Sequence, residues 1–252
     1  MEVPSQDESH VLFTVIPNID RSVFTLMVTT PYLCDIVKEE IVKHDAAHRA
    51  WFYQQASDLP QFQGTLGCLF KKYFFAWINS KHANPIQCTP KSPKRSVANI
   101  ILRPLGHERV SVFSRDSEFG TAKDKELPFS WLPASRNFPT FDAIICTNEH
   151  IITIQVAMSS KHTMSPDGFK QLNENLSPGF GSARTWHHIF LTDCKESATS
   201  LRRQDHKVAA DQAVLIHSAV LDISKLNLSS EGFRCELYPA YGTNCILTFV
   251  LT

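Results

Sequence analysis

Asp142 and Gln155 are the residues whose types and spacing can do chemistry. Each sits in or beside a run rich in Ile, Val and Thr, Phe141 to Thr147 and His150 to Met158. The short polar step Thr147-Asn148-Glu149 between those runs predicts a hairpin. Side chains alternate faces along a strand, so Gln155 shares a face with Ala157, opposite Ile152, Ile154, Val156 and Met158. A carboxylate and a neutral carbonyl oxygen on adjacent strands can hold a hard divalent cation such as Mg²⁺. Such a cation keeps several waters and can activate one of them against a phosphodiester. The same residues have a plainer reading, in which Asp142 caps or pairs near a strand end and Gln155 is a solvated position on a half-exposed strand.

Several elements must position this pair. Leu66, Leu69, Phe70, Tyr73, Phe74, Trp77 and Ile78 recur at helical spacing and predict a helix from Thr65 to Ser80 packed on a sheet. Its aromatic stripe reads as core and not as a base-stacking platform. Val97 to Arg103 and Glu108 to Arg115 alternate well enough to predict a second hairpin, turned at Leu105-Gly106-His107 and preceding the Asp142 strand in the sheet. Asn84 to Ser96 and Asp116 to Pro139 are polar and Pro-containing and predict loops. At the ends, His10 to Pro17 and Ser22 to Thr29 predict a strand pair, Tyr32 to Ala56 a helix, and Asn244 to Leu251 an edge strand.

The residues Asn137-Phe-Pro139-x-Phe-Asp142, followed by Ile154-Gln155-Val-Ala157 and His162, resemble the restriction-endonuclease-like domain of the Crinkler and retrotransposon-hot-spot proteins, within the PD-(D/E)XK nuclease superfamily. Gly67-Cys-Leu-Phe70-Lys71 resembles that family's first helix, whose segment reads Gly-x-Leu-Phe-Glu. The resemblance continues through a helix from Met164 to Leu176 and a strand from Trp186 to Thr192. It covers about half the chain, from about Gly64 to about Asp193. It implies a single α/β domain with a restriction-endonuclease-like core, αβββαβ, whose mixed central sheet is flanked by helices. Residues 1–63 would then be an accessory N-terminal region, 64–193 the core and 194–252 a C-terminal extension.

The resemblance also implies a Mg²⁺ held by Asp142 and Gln155, but three positions depart from the pattern. Gln155 stands where an acid is usual, Ala157 where a Lys steadies charge developing on the phosphate, and Lys71 where a Glu completes the acidic site. Lys161 or His162, just beyond the strand, would stand in for the missing Lys. Two functions follow. One is an intracellular protein of cytoplasm or nucleus that acts on nucleic acid, DNA before RNA, as a Mg²⁺-dependent endonuclease with a degraded site. The other is a catalytically inactive descendant, an effector or interaction module that binds nucleic acid or a protein partner. A chance resemblance in an unrelated interaction module is a third. Convergence of Lys71 on Asp142 would mark the inactive form, and entry of another carboxylate such as Glu149 or Asp167 the active one.

Charge is balanced, with 25 basic and 25 acidic residues, so no global field draws the chain to nucleic acid or membrane and any phosphate-binding surface is local. Lys91-Ser-Pro-Lys94-Arg95 reads as a nuclear-import signal or a solvated loop. Arg202, Arg203, His206 and Lys207 read as backbone contacts to nucleic acid or as a solvated helix start. His44 and His48 share a helical face, as a metal pair or as solvated residues. His187 and His188 point to opposite faces of a strand, so both cannot ligate one metal; one is expected to face the site and the other solvent. Seven widely spaced cysteines without a Cys-x-x-Cys pair read as reduced, buried thiols. The polar N-terminus lacks the form of a signal peptide, and no run approaches the roughly 18 apolar residues of a membrane span.

Overall fold

The computed structural model describes residues 14–17, 24–27, 53, 63–92, 100–134, 141–204, 213–223, 226 and 249–251. In chain order the strands are β1 (Thr14–Pro17), β2 (Phe24–Met27), β3 (Ile86–Pro90), β4 (Ile101–Leu102), β5 (Val110–Phe113), β6 (Phe129–Pro133), β7 (Ala143–Cys146), β8 (His150–Val156), β9 (Thr185–Thr192), β10 (Val214–Val220) and β11 (Phe249–Leu251). The helices are α1 (Gln63–Asn79), α2 (Pro166–Asn175) and α3 (Lys195–Arg203), with 3-10 turns at His107–Arg109 and Asp116–Asp124. The chain forms two compact units, residues 1–69 with 240–252, and residues 70–239. Among the described residues no helix is long and apolar enough to cross a membrane.

The first unit holds a small antiparallel sheet in the order β1-β2-β11, so the expected N-terminal strand pair forms and the last apolar segment lies at an edge. The second holds a mixed sheet in the order β4-β3-β10-β9-β8-β7-β6-β5. Strands β6, β7 and β8 run as an antiparallel meander. Strand β9 is parallel to β8 after α2, and β10 is parallel to β9 after α3. Parallel neighbours need such crossovers, and a strand covered on both faces reads as a continuous apolar run. Strand β8 fits, with Ile151 through Gln155 all buried.

One face of the sheet owes its cover to α2 and the long 3-10 turn. Pro166 sits in the first turn of α2, where its fixed φ suits the helix and its missing N–H is no loss. Phe169 and Leu172, three apart, then join the buried cluster of Ile144, Ile151, Trp186 and Phe190, with the Phe169 ring 5.4 Å from that of His188 on β9. Aromatic rings close the adjoining end, with Phe119 against Phe113 at 4.6 Å and against Trp131 at 5.2 Å between centroids. In α1 the predicted stripe is buried from Leu66 through Ile78.

Three local expectations fail for identifiable reasons. The hairpin expected from Val97 to Arg115 does not form: β4 pairs with β3 and β5 with β6, at opposite edges of the sheet. Leu105 and Gly106 donate their N–H groups to the Ile78 carbonyl at the end of α1, and Gly106 takes a left-handed φ of 82°, so the segment is tied to the helix instead of turning tightly. The loop expected from Asn84 to Ser96 contains β3, whose Ile86 and Cys88 alternate inward between exposed Gln87 and Thr89. The loop expected from Asp116 to Pro139 contains a 3-10 turn and β6, every residue of which is buried. Pro punctuation at 85, 90, 128 and 133 masks both strands, although each Pro stands at or outside a strand end, where none interrupts the ladder.

Phe169 carries the contact between α2 and the sheet. Phe169→Ala is expected to lower stability by about 3–5 kcal/mol in urea unfolding; a loss below about 1 kcal/mol would mean that α2 is not packed there.

Candidate functional site

The β7–β8 hairpin forms as expected. Thr147 closes it, donating N–H to the His150 carbonyl at 2.9 Å and accepting the His150 N–H on its hydroxyl at 2.9 Å. Arg184 donates Nε–H to the Thr147 carbonyl at 2.8 Å, pinning the turn to the rest of the sheet. At the other end of the hairpin the register pairs Ala143 with Ile154. One step further sets Asp142 opposite Gln155, and directly opposed residues share a face. The Asp142 N–H continues the ladder to the Ile154 carbonyl at 2.7 Å.

The Asp142 carboxylate is committed on both oxygens. Oδ2 accepts the Val156 N–H at 2.8 Å, and Oδ1 meets the Lys71 ammonium in an ion pair. The two side chains are 19% and 21% exposed, so water screens them only in part. Lys71 reaches them from the third turn of α1, with its ammonium 5.9 Å from the ring centroid of Phe75, one helical turn on. Gln155 is 8% exposed, not half-exposed, and its Oε1 is buried without a hydrogen-bond donor. Ala157 is 1% exposed and belongs to the apolar core beneath α2, with its N–H on the Leu191 carbonyl.

A divalent cation does not fit this arrangement. An ammonium already neutralises Asp142, and a second cation beside it would be repelled. The other residues named from the sequence lie elsewhere. Lys161 is exposed and its N–H binds Ser159 Oγ; His162 bonds Gln204 and the Thr163 carbonyl; neither bonds Asp142 or Gln155. Glu149 is exposed in the hairpin turn and Asp167 in the first turn of α2. Among the described residues no group of three His, Cys, Asp or Glu could hold a metal ion. His44, His48, Lys94, Arg95, His206 and Lys207 lie outside the described residues.

A second polar constellation is internal. His187 Nδ1 lies 3.0 Å from His217 Nε2, and His187 Nε2 lies 3.1 Å from His150 Nδ1. The three rings cross β8, β9 and β10 diagonally: His187 pairs with Ile152, two residues past His150, and with Leu215, two residues before His217. Glu149 approaches His150 Nε2 at 3.6 Å at the open end, while His217 Nδ1 ends the row buried and unpartnered. Three neutral imidazoles supply one proton to each of the two links and one to spare. Placing the spare proton on His150 Nε2, toward Glu149, leaves only a bare acceptor at His217. His188 points the opposite way, as expected, to Thr153 Oγ1 at 2.9 Å. Neither of the paired histidines is exposed, contrary to expectation, because β9 is covered on both faces. No sequence signal could align the three rings, since their register is set across two crossovers.

Cys88 and Cys146 are free and buried, as expected, whereas Cys194 is free but only half-buried. Burial pushes the Cys88 and Cys146 thiols up to about 12, which keeps them protonated and unreactive. No family model, curated protein or solved structure matches this chain.

The histidine row makes stability depend on acid. Desolvation, helped by the neighbouring rings, lowers His187 to about 3, and desolvation lowers His217 to about 4, from an ordinary 6.5. Between those values the unfolded chain binds protons that the folded chain refuses. The stabilisation is therefore full above about pH 6.5 and is lost as pH falls through the folded values. Urea midpoints are expected to fall from pH 7 to pH 4.5, with a slope of up to about 3 kcal/mol per pH unit for the two groups. His217→Leu should make that limb shallower; an acid limb unchanged by the substitution would contradict the assignment.

Proposed function

We propose that this protein is a catalytically inactive nucleic-acid-binding protein on a nuclease-like scaffold, in which an internal ion pair has taken the place of a metal site. The observation that carries the reading is the Lys71 ammonium on the Asp142 carboxylate. The resemblance in sequence implies a Glu at position 71 and a Lys at position 157. Here the cation has moved from the strand to the helix and the acid is gone, so the charges that would bind Mg²⁺ and steady a phosphate cancel each other.

The order of elements supports the same reading. Helix α1, the β6–β7–β8 meander, α2 and β9 follow one another in the αβββαβ order that the resemblance implies, with β3, β4 and β5 inserted after α1. Strand β6, and not the segment from Val97 to Arg115, supplies the strand before β7. One observation favours the active alternative: the Gln155 carbonyl oxygen is buried without a donor beside Asp142. It is a ligand position that a cation would satisfy if Lys71 swung away.

Cleavage of plasmid, single-stranded DNA and RNA with Mg²⁺ or Mn²⁺ is expected to stay at the level of an EDTA control. Metal-dependent cutting that disappears in Asp142→Ala would overturn the proposal. Lys71→Glu is expected to create what the wild type lacks, a rise in Tm on adding Mg²⁺ of about 2–4 °C for each kcal/mol of metal binding.

A further inference from the structure

A cleft of about 460 Å³ opens on the side of the sheet that α3 covers, between that helix and strands β10 and β3. Lys195, Thr199 and Arg202 stand at i, i+4 and i+7 in α3, which puts them on one stripe, and all three line the cleft. The two cations are about 10 Å apart along the helix axis, at 1.5 Å per residue. Across from them, Gln87 and Thr89 project from β3 toward solvent, two residues apart and so on one face. Ser218 of β10 is paired with Thr89 and lines the cleft as well, only 2% exposed. Pro85 and the buried Trp77 and Leu221 also line the cleft. Trp77 is held there by its Nε1–H on the Asn84 carbonyl at 2.9 Å.

Among the described residues neither Lys195 nor Arg202 is engaged in an ion pair, and Asp222 is the carboxylate that lines the cleft against them. A neighbouring concavity shares Lys195 and Thr199 and adds Arg203 together with the carboxylate of Glu196. Unpaired cations spaced along an open trough attract an extended polyanion more than a single compact anion. Hydroxyl and amide groups facing them can bond phosphate or sugar oxygens.

We infer that this cleft binds the sugar–phosphate backbone of a single-stranded nucleic acid, with Lys195 and Arg202 on successive parts of the chain and Ser218 and Thr89 on the opposite side. The inference rests on the non-catalytic binding role proposed above and gives it a location remote in sequence from Lys71 and Asp142.

The test is fluorescence anisotropy of labelled oligo-dT and oligo-rU, with a labelled poly-glutamate peptide alongside, across a salt series. Wild type is compared with Lys195→Glu/Arg202→Glu and, in case charge reversal impairs folding, with Lys195→Gln/Arg202→Gln. Expected is binding of an oligonucleotide but not of poly-glutamate, weakened about tenfold or more at low salt in the variants. The salt slope should shrink by about 0.7 for each phosphate contact removed. Wild-type binding that the folded variants reproduce, with the same slope, would overturn the cleft but leave the binding role standing. Equal binding of poly-glutamate would overturn the nucleic-acid assignment. Failure of the wild type to bind either oligonucleotide would overturn the binding role and the cleft together.

Discussion

The ion pair between Lys71 and Asp142 is the constraint on which the chemistry of this protein turns. An ammonium delivered by a helix and a carboxylate at the end of a hairpin meet where each is about one-fifth exposed. Each partner leaves an uncompensated charge if the other is lost, so the pair fixes both elements as well as neutralising them. The second oxygen of Asp142 is spent on the Val156 N–H, which extends the hairpin by one more rung. With both oxygens engaged, what remains beside them is the amide of Gln155, a neutral ligand too weak to hold a hard cation against a neighbouring ammonium.

The polar groups buried elsewhere in the sheet follow a similar rule of internal satisfaction. Ser130 donates to the Ile144 carbonyl, Thr153 meets both the His187 carbonyl and His188, and His150, His187 and His217 bond one another in a row that leaves only His217 Nδ1 bare. Burial then holds His187 and His217 neutral, since an added proton on either would sit desolvated in the sheet. The interior therefore gains specificity of register at the expense of acid tolerance. The open cleft beside α3 differs, because Lys195 and Arg202 line it without an ion pair among the described residues.

What the sequence made legible was what local periodicity encodes. The aromatic stripe from Leu66 to Ile78 is long enough to identify α1, and the apolar runs on either side of Thr147 identify the hairpin that carries Asp142 and Gln155. Residues as short-lived in pattern as Ile86 to Pro90 and Phe129 to Pro133 were hidden by the prolines that bound them. The placement of β4 and β5 on opposite edges was hidden because pairing between strands distant in sequence leaves no local trace. The approach of Lys71 to Asp142 was legible only as a condition, since residue type identifies the charges while the distance between helix and hairpin depends on packing. The histidine row and the α3 cleft needed the registers of β3, β8, β9 and β10 together, which no single segment specifies.

The most direct measurement is a double-mutant cycle on the ion pair, with Lys71→Met, Asp142→Asn and the double variant compared with wild type by urea unfolding in metal-free buffer at neutral pH. If the ammonium has replaced the metal as the partner of Asp142, the two substitutions are coupled by about 1–3 kcal/mol, the double variant losing less than the sum of the single ones. Additivity to within about 0.5 kcal/mol would mean that the two charges do not interact in solution, and would contradict the account.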